Sequence, residues 1–280
     1  MYVPPPLVPL AAVWSALIGA VVGSFVNVVV ARVPAGESIV RPGSRCPRCK
    51  SPIRWYDNVP MVSWLVLRAR CRSCHAPIPA RYPIVEALGA AAALVVFARH
   101  GLSAAAAAEL AFAAALLALA LIDLDTWLLP HVITWPLIAS GLVLGALGAT
   151  AAASLRSAAY GAGLGFAVFA IVAWVGEKAL KKEALGFGDV WLLAGIGAWM
   201  GAGALLPVVL LASLQGSIVG IAWIVTGRAR PGASAGHEDG EWVPPRHAVP
   251  FGPFLVAGAL EWLWLGALLA RAVPALELFR

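Results

Sequence analysis

Charge is scarce in this chain. Asp, Glu, Lys and Arg make up only 12% of its 280 residues, while 61% are hydrophobic. A water-soluble domain of that composition would leave large apolar patches facing solvent, so an all-α polytopic membrane protein is the expected fold class. Apolar runs near the ~20 helical residues that cross a bilayer lie at 7–31, 83–98, 103–122, 132–150, 157–176, 190–203, 205–226 and 250–270. They predict about eight transmembrane helices, the second and sixth from short runs. A cleavable signal is not expected either: MYVPPPLVPL has no basic residue, and Arg32 follows the apolar run instead of preceding it. The first segment is therefore expected to remain as a span.

The net charge of +6 is distributed as topology rather than as a nucleic-acid footprint, and no nucleic-acid partner is expected. With the N-terminus outside and eight crossings, segments 32–82, 177–188 and 227–248 share one side with 123–131 and carry 10, 3, 3 and 0 Lys or Arg. The other side holds Arg99, Arg156, Arg271 and Arg280. Cationic loops stay cytoplasmic, which fixes the orientation. Segment 227–248, rich in Gly, Pro and charge, reads as a flexible connection.

Cysteine occurs four times, always inside 32–82, as CPRC at 46–49 and CRSC at 71–74 with 21 residues between the pairs. Two C-x2-C pairs, each folding as a tight knuckle, close a tetrahedral Zn(II) site through Cys46, Cys49, Cys71 and Cys74. Two disulfides are the alternative, opposed by the reducing compartment that the charge distribution assigns to this loop. Four thiolates leave no open position, so the zinc is expected to be structural. His75 is a spare donor beside a complete set. Domain limits of 1–31 (first span), 32–82 (cytoplasmic four-cysteine zinc-binding insertion) and 83–280 (membrane domain) follow. No internal repeat is convincing, and no glycine fingerprint follows a strand. Gly161-Ala-Gly-Leu-Gly165 and Gly197-Ala-Trp-Met-Gly201 instead have the small-residue spacing that lets membrane helices approach closely. The twelve tryptophans read mostly as interface anchors.

Aspartate is rarer than the length suggests, with five in all. Asp57 lies in the cysteine segment and Asp239 in the connection 227–248. Asp123 and Asp125 end the third span in LIDLDTWLLP at 121–130, and Asp189 opens the sixth after Gly186-Phe-Gly188. Ionisable groups at the edge of hydrocarbon are costly and usually functional. The predicted topology brings Asp123 and Asp189 to the same depth on the same side. Gly186 and Gly188 remove side chains around Asp189, which would let a substrate backbone come close. Two carboxylates at close range resist ionising together and suit aspartic-protease chemistry, one taking a proton from water and the other giving one to the scissile carbonyl. Helix capping or pairing with interfacial arginine is the blander alternative.

These residues, with GSFVNVVVARVP at 23–34, the cysteine region 44–86 and PFGPFLVAG at 250–258, resemble the bacterial type IV prepilin peptidases, membrane aspartic proteases with a Gly-x-Gly-Asp motif. The resemblance covers nearly the whole chain. It implies that Asp123 and Asp189 are the catalytic pair; Asp125, in a supporting place, is the near rival of Asp123, with orienting Asp123 or meeting solvent as its blander role. It further implies removal of the basic leader of prepilins and type II secretion pseudopilins at the cytoplasmic face of the bacterial inner membrane, and N-methylation of the new N-terminus with S-adenosylmethionine, whose binding residues the sequence leaves unknown. The chain departs from the family pattern at His131, where an acid is common, at Trp191, where lysine is frequent, and in Glu183-Ala-Leu-Gly-Phe-Gly. Asn27 is expected to make an interhelical hydrogen bond and Glu109 to be interfacial, while Glu86 is open to pairing with a basic residue near Arg81, to simple packing, or to a functional role that the resemblance suggests. A proton-coupled transporter with a regulatory zinc knuckle is the competing class, opposed by carboxylates at the membrane edge and the missing repeat.

Overall fold

The computed structural model describes residues 4–180, 186–226 and 249–279. Among them are nine α-helices: α1 Val8–Arg32, the short α2 Val62–Val66, α3 Arg81–His100, α4 Ala104–Thr126, α5 His131–Ala146, α6 Leu155–Leu180, α7 Phe187–Met200, α8 Leu205–Val225 and α9 Gly252–Ala272. Each predicted span contains a helix. Six are long and apolar enough to cross a membrane, while α5 and α7 are shorter apolar helices. The connection expected over 227–248, together with Glu183 and Asp239, lies outside the described residues.

Boundaries differ from the apolar runs for local reasons. The second run, short by hydropathy, is the 20-residue α3, because Arg81, Arg99 and His100 carry the helix past the apolar window. The fourth run yields only 16 residues; α5 stops at Ala146, where Gly148 at φ +67° turns the chain. Gly201 at φ +81° ends α7, a backbone conformation that costs glycine little. Ser103 caps α4 by accepting the Ala106 N–H at 3.1 Å, and the Ala-rich sequence that follows has high helix propensity.

The bundle has two apolar clusters. The larger joins α4, α5, α7, α8 and α9 through Phe112, Leu116, Leu119, Leu137, Val190, Ile196, Val208 and Leu255. The smaller joins α1, α3 and α4 through Val26, Val30, Val85, Ala118 and Ile122. Outward faces of α1 and α8 stay apolar, with Trp14, Leu17 and Ile18, and Leu214, Ile218 and Ile221, exposed; such all-round hydrophobicity is that of a membrane helix. The small-residue stretches do what their spacing predicts. Gly161 sits on the backbone of Gly197, and a Cβ on Gly165 would stand 2.7 Å from the Leu193 carbonyl, so α6 and α7 touch main chain to main chain. Asn27 donates to the Tyr82 carbonyl of α3 at 3.3 Å, the interhelical bond expected.

Candidate active site and metal centre

LIDLDTWLLP is the end of α4 and the turn into α5. Trp127 is left-handed (φ 59°, ψ 23°) and its N–H donates to the Asp123 carbonyl at 2.9 Å, which terminates the helix as an αL cap. Leu128 and Leu129 follow, and Pro130 sets the start of α5. Leu129 is buried, and a Cβ on Gly188 would lie 2.8 Å from its Cβ. Gly188 is therefore a packing glycine: Leu129 occupies the space beside it, not open room for a substrate backbone. Gly186 is freer, since a Cβ there would meet only Asp189 Oδ2 at 3.6 Å. The two aspartate motifs lock together through this leucine–glycine contact.

Asp123 ends one helix and Asp189 begins another, at the same end of the bundle. Both are buried, at 5% and 7% exposure. Their helices share the core of Leu116, Leu119, Val190 and Leu193, and the Leu129–Gly188 contact joins the two motifs directly. Asp123 Oδ2 accepts the Gly252 N–H from the start of α9 at 3.1 Å. Asp189 Oδ1 is buried without a hydrogen-bond partner among the described residues, an arrangement that usually has a functional reason.

Asp125 turns outward. Arg81 Nη1 donates to both its oxygens at 2.8 and 2.6 Å, so Asp125 ties α4 to the start of α3 rather than orienting Asp123. Glu86 finds a different partner from a basic residue: its Oε2 accepts the Met61 N–H at 2.6 Å, Met61, at φ +58°, being the residue that opens α2. Glu109 is more than interfacial. It accepts Arg99 Nε at 3.0 Å and Trp264 Nε1 at 2.9 Å and lies 2.7 Å from His100 Nε2, joining α3, α4 and α9 at the far end.

The two departures from the family pattern meet in space. His131 and Trp191 have ring centroids 5.8 Å apart, edge to face, and Trp135, Phe166 and Phe187 complete the cluster. Where the family pattern would place an acid and a lysine, this chain places two aromatic rings. Gly252, Leu129 and Arg81 were not singled out from sequence; PFGP at 250–253 was the available signal for the first and the Leu-Leu-Pro after Asp-x-Asp for the second.

The cysteines form a second centre. Arg45 pairs with Pro52 and Arg70 with Pro77 across two knuckles, with Lys50 and His75 at matching positive φ of 60° and 55°, so RCPRCKSP and RCRSCHAP repeat one geometry. All four Sγ atoms lie within 4.8 Å of one another. Cys46 and Cys74 are 3.8 Å apart, the edge expected of a thiolate tetrahedron around Zn(II) at about 2.3 Å per bond. The Ser51 hydroxyl and backbone hold Cys49 down to about 6. At Cys74 the Ala76 backbone contact is outweighed by burial and neighbouring thiols, which push it up to about 11. Four sulfurs so crowded suit a divalent cation; the donor set fits a metal ion, and no disulfide links these cysteines.

Fold and site together define a polytopic membrane protein with buried aspartates from two motifs at one bundle end and a separate four-cysteine cluster whose donor set fits a metal ion. Family models agree: the bacterial peptidase A24 N-terminal domain matches residues 17–100 and the type IV leader peptidase family matches 110–221. The chain is 40% identical to a prepilin leader peptidase/N-methyltransferase of Myxococcus xanthus, over 95% of this chain and 94% of that one. Proteins of the same name from Burkholderia pseudomallei and Pseudomonas aeruginosa are each 37% identical over 89% of this chain, covering 84% and 88% of their own lengths. No solved structure matches. The chain belongs to the type IV leader peptidase family, a family of membrane enzymes.

Proposed function

We propose that this protein removes the leader peptide of type IV prepilins and type II secretion pseudopilins by aspartic-protease chemistry at the cytoplasmic face of the inner membrane. Asp123 and Asp189 are the catalytic pair. One carboxylate takes a proton from water as its oxygen attacks the scissile carbonyl carbon, and the protonated partner gives its proton to the carbonyl oxygen. Collapse of the resulting diol breaks the C–N bond as the leaving nitrogen is protonated. The observation that carries this reading is the burial of two aspartates from distant motifs at one bundle end, one with an oxygen that has no protein partner among the described residues.

Gly252 and the leucine–glycine lock fix the carboxylates in advance of substrate, which is how positioning lowers a barrier. Residues 32–82 act as the cytoplasmic four-cysteine unit, with Cys46, Cys49, Cys71 and Cys74 as ligands of a structural zinc, and 83–280 as the peptidase part. The relatives' shared name supports N-methylation of the new N-terminus; S-adenosylmethionine, when bound, supplies an electrophilic methyl group to that amine. The test is mass spectrometry of a reconstituted prepilin incubated with the protein and S-adenosylmethionine. Loss of the leader mass with gain of one methyl group is expected, and an intact prepilin would refute the peptidase assignment.

A further inference from the structure

A cavity of about 900 Å³ opens between α1, the beginning of α3 and the cysteine unit. Small-molecule sites occupy roughly 300–1,000 Å³ and combine apolar walls with a few fixed polar groups. Here the buried polar residues among the lining are Asn27, Ser63 and Glu86, each 8% exposed. Glu86 accepts the Met61 N–H through Oε2 and has no other hydrogen bond among the described residues, so its second oxygen is left as an acceptor. Trp64 and Tyr82 supply aromatic surface, and the more exposed arginines Arg32, Arg41, Arg48 and Arg54 also line the space.

We propose that this cavity holds the methyl donor, S-adenosylmethionine, with Glu86 accepting the ribose hydroxyls and a rim arginine taking the donor's carboxylate. The proposal rests on the N-methyltransferase reading above. The interior holds a carboxylate, whereas cations outnumber acids at the rim, where the acids are Glu37 and the Arg72-paired Asp57. A buried carboxylate suits hydroxyl donors, as acidic residues do at other ribose sites, and guanidinium groups suit a carboxylate. A phosphate or an anionic lipid headgroup would satisfy the rim but face Glu86 with like charge. Position agrees with the chemistry. Tyr82 lines the cavity and follows Arg81, whose guanidinium grips Asp125 two residues from Asp123. The cavity and the carboxylate pair are thus linked through the start of α3, which lines the one with Tyr82 and holds the end of α4 through Arg81.

The test uses the full chain in nanodiscs. Ultraviolet crosslinking with S-adenosyl-[methyl-³H]methionine, followed by peptide mapping, is expected to place label within 24–86. In equilibrium dialysis, Glu86→Gln, which keeps the side chain's shape and an acceptor for Met61, and Val28→Trp, which fills lining space, are each expected to weaken binding about tenfold or more. Zinc content and melting temperature report the fold of each variant. Label confined to residues beyond 104, wild-type affinity in both folded variants, or displacement by inorganic phosphate or phosphatidylglycerol vesicles but not by S-adenosylhomocysteine overturns the placement. Wild-type protein that binds no donor and adds no methyl group to cleaved prepilin removes the methyltransferase reading, and this site with it. Methylation with label elsewhere removes only the site.

Discussion

Gly252 offers a sharp test of the carboxylate pair because its substitution separates activity from stability. A Cβ added there would stand 2.5 Å from Asp123 Oδ2 and 3.2 Å from Cγ, where ordinary contact begins at 3.4 Å. In Gly252→Ala the carboxylate must therefore retreat by about 0.9 Å. The atom that yields is the end of a side chain, so the fold loses little, and alanine in the first turn of α9 is the better helix former by up to about 1 kcal/mol. Catalysis is less forgiving: a displacement of about 1 Å at reacting groups costs on the order of 100-fold. Single-turnover leader removal from a reconstituted prepilin should fall by about that factor while the melting temperature changes little. Gly186→Ala, whose Cβ would make an ordinary 3.6 Å contact with Asp189 Oδ2, should disturb the rate far less. Cleavage by folded Gly252→Ala at the wild-type rate would show that the Asp123 carboxylate does not act from this position.

Asp123→Asn and Asp189→Asn should each cut leader removal by about 10²–10⁴-fold in protein that still inserts and melts normally, whereas Asp125→Asn loses a half-exposed ion pair with Arg81 worth about 0–1 kcal/mol and should retain most activity; equal loss in all three would merge their roles. Cys46→Ser should abolish stoichiometric zinc as read by inductively coupled plasma mass spectrometry, and unchanged zinc would contradict the four-thiolate site. For the His131–Trp191 pair, a double-mutant cycle with His131→Asp and Trp191→Lys should show a favourable coupling of about 0.5–3 kcal/mol in thermal melts, the charged pair recovering part of what either change loses alone; additive effects would mean that the two positions do not interact.

Legibility in the sequence followed the range of the interaction. Span number and the shared side of Asp123 and Asp189 could be read because hydropathy and Lys/Arg asymmetry are summed over many residues, and the thiolate cluster because its spacing is local. Partnerships across the fold could not. Nothing near Asp125 identifies Arg81, forty-four residues away, and nothing near Gly188 says that its missing side chain is filled by Leu129. The charge of Glu86 points to a cationic partner, yet its Oε2 accepts a backbone N–H that only the fold of the cysteine segment presents. Along the sequence His131 and Trp191 are two separate departures, sixty residues apart; in the fold their rings meet edge to face.

The same geometry weighs peptidase against proton-coupled carrier. A relay needs titratable groups at short intervals across the bilayer. Asp123 and Glu109 lie on one helix, but fourteen residues at about 1.5 Å each put them roughly 21 Å apart. Between those depths lie Glu86 on α3, whose Oε2 accepts the Met61 N–H, and Glu261, on α9 nine residues past Gly252, which contacts Asp123. Glu261 Oε2 accepts Gln215 Nε2 at 2.6 Å, and Glu109 is held by Arg99, Trp264 and the nearby His100. These acids brace neighbouring helices instead of facing a shared path. Asp189 Oδ1, in contrast, is buried at the same bundle end as Asp123 with no protein partner among the described residues. An acid pair kept at one rim, with helix-bracing acids elsewhere, favours chemistry on a peptide that arrives from that rim.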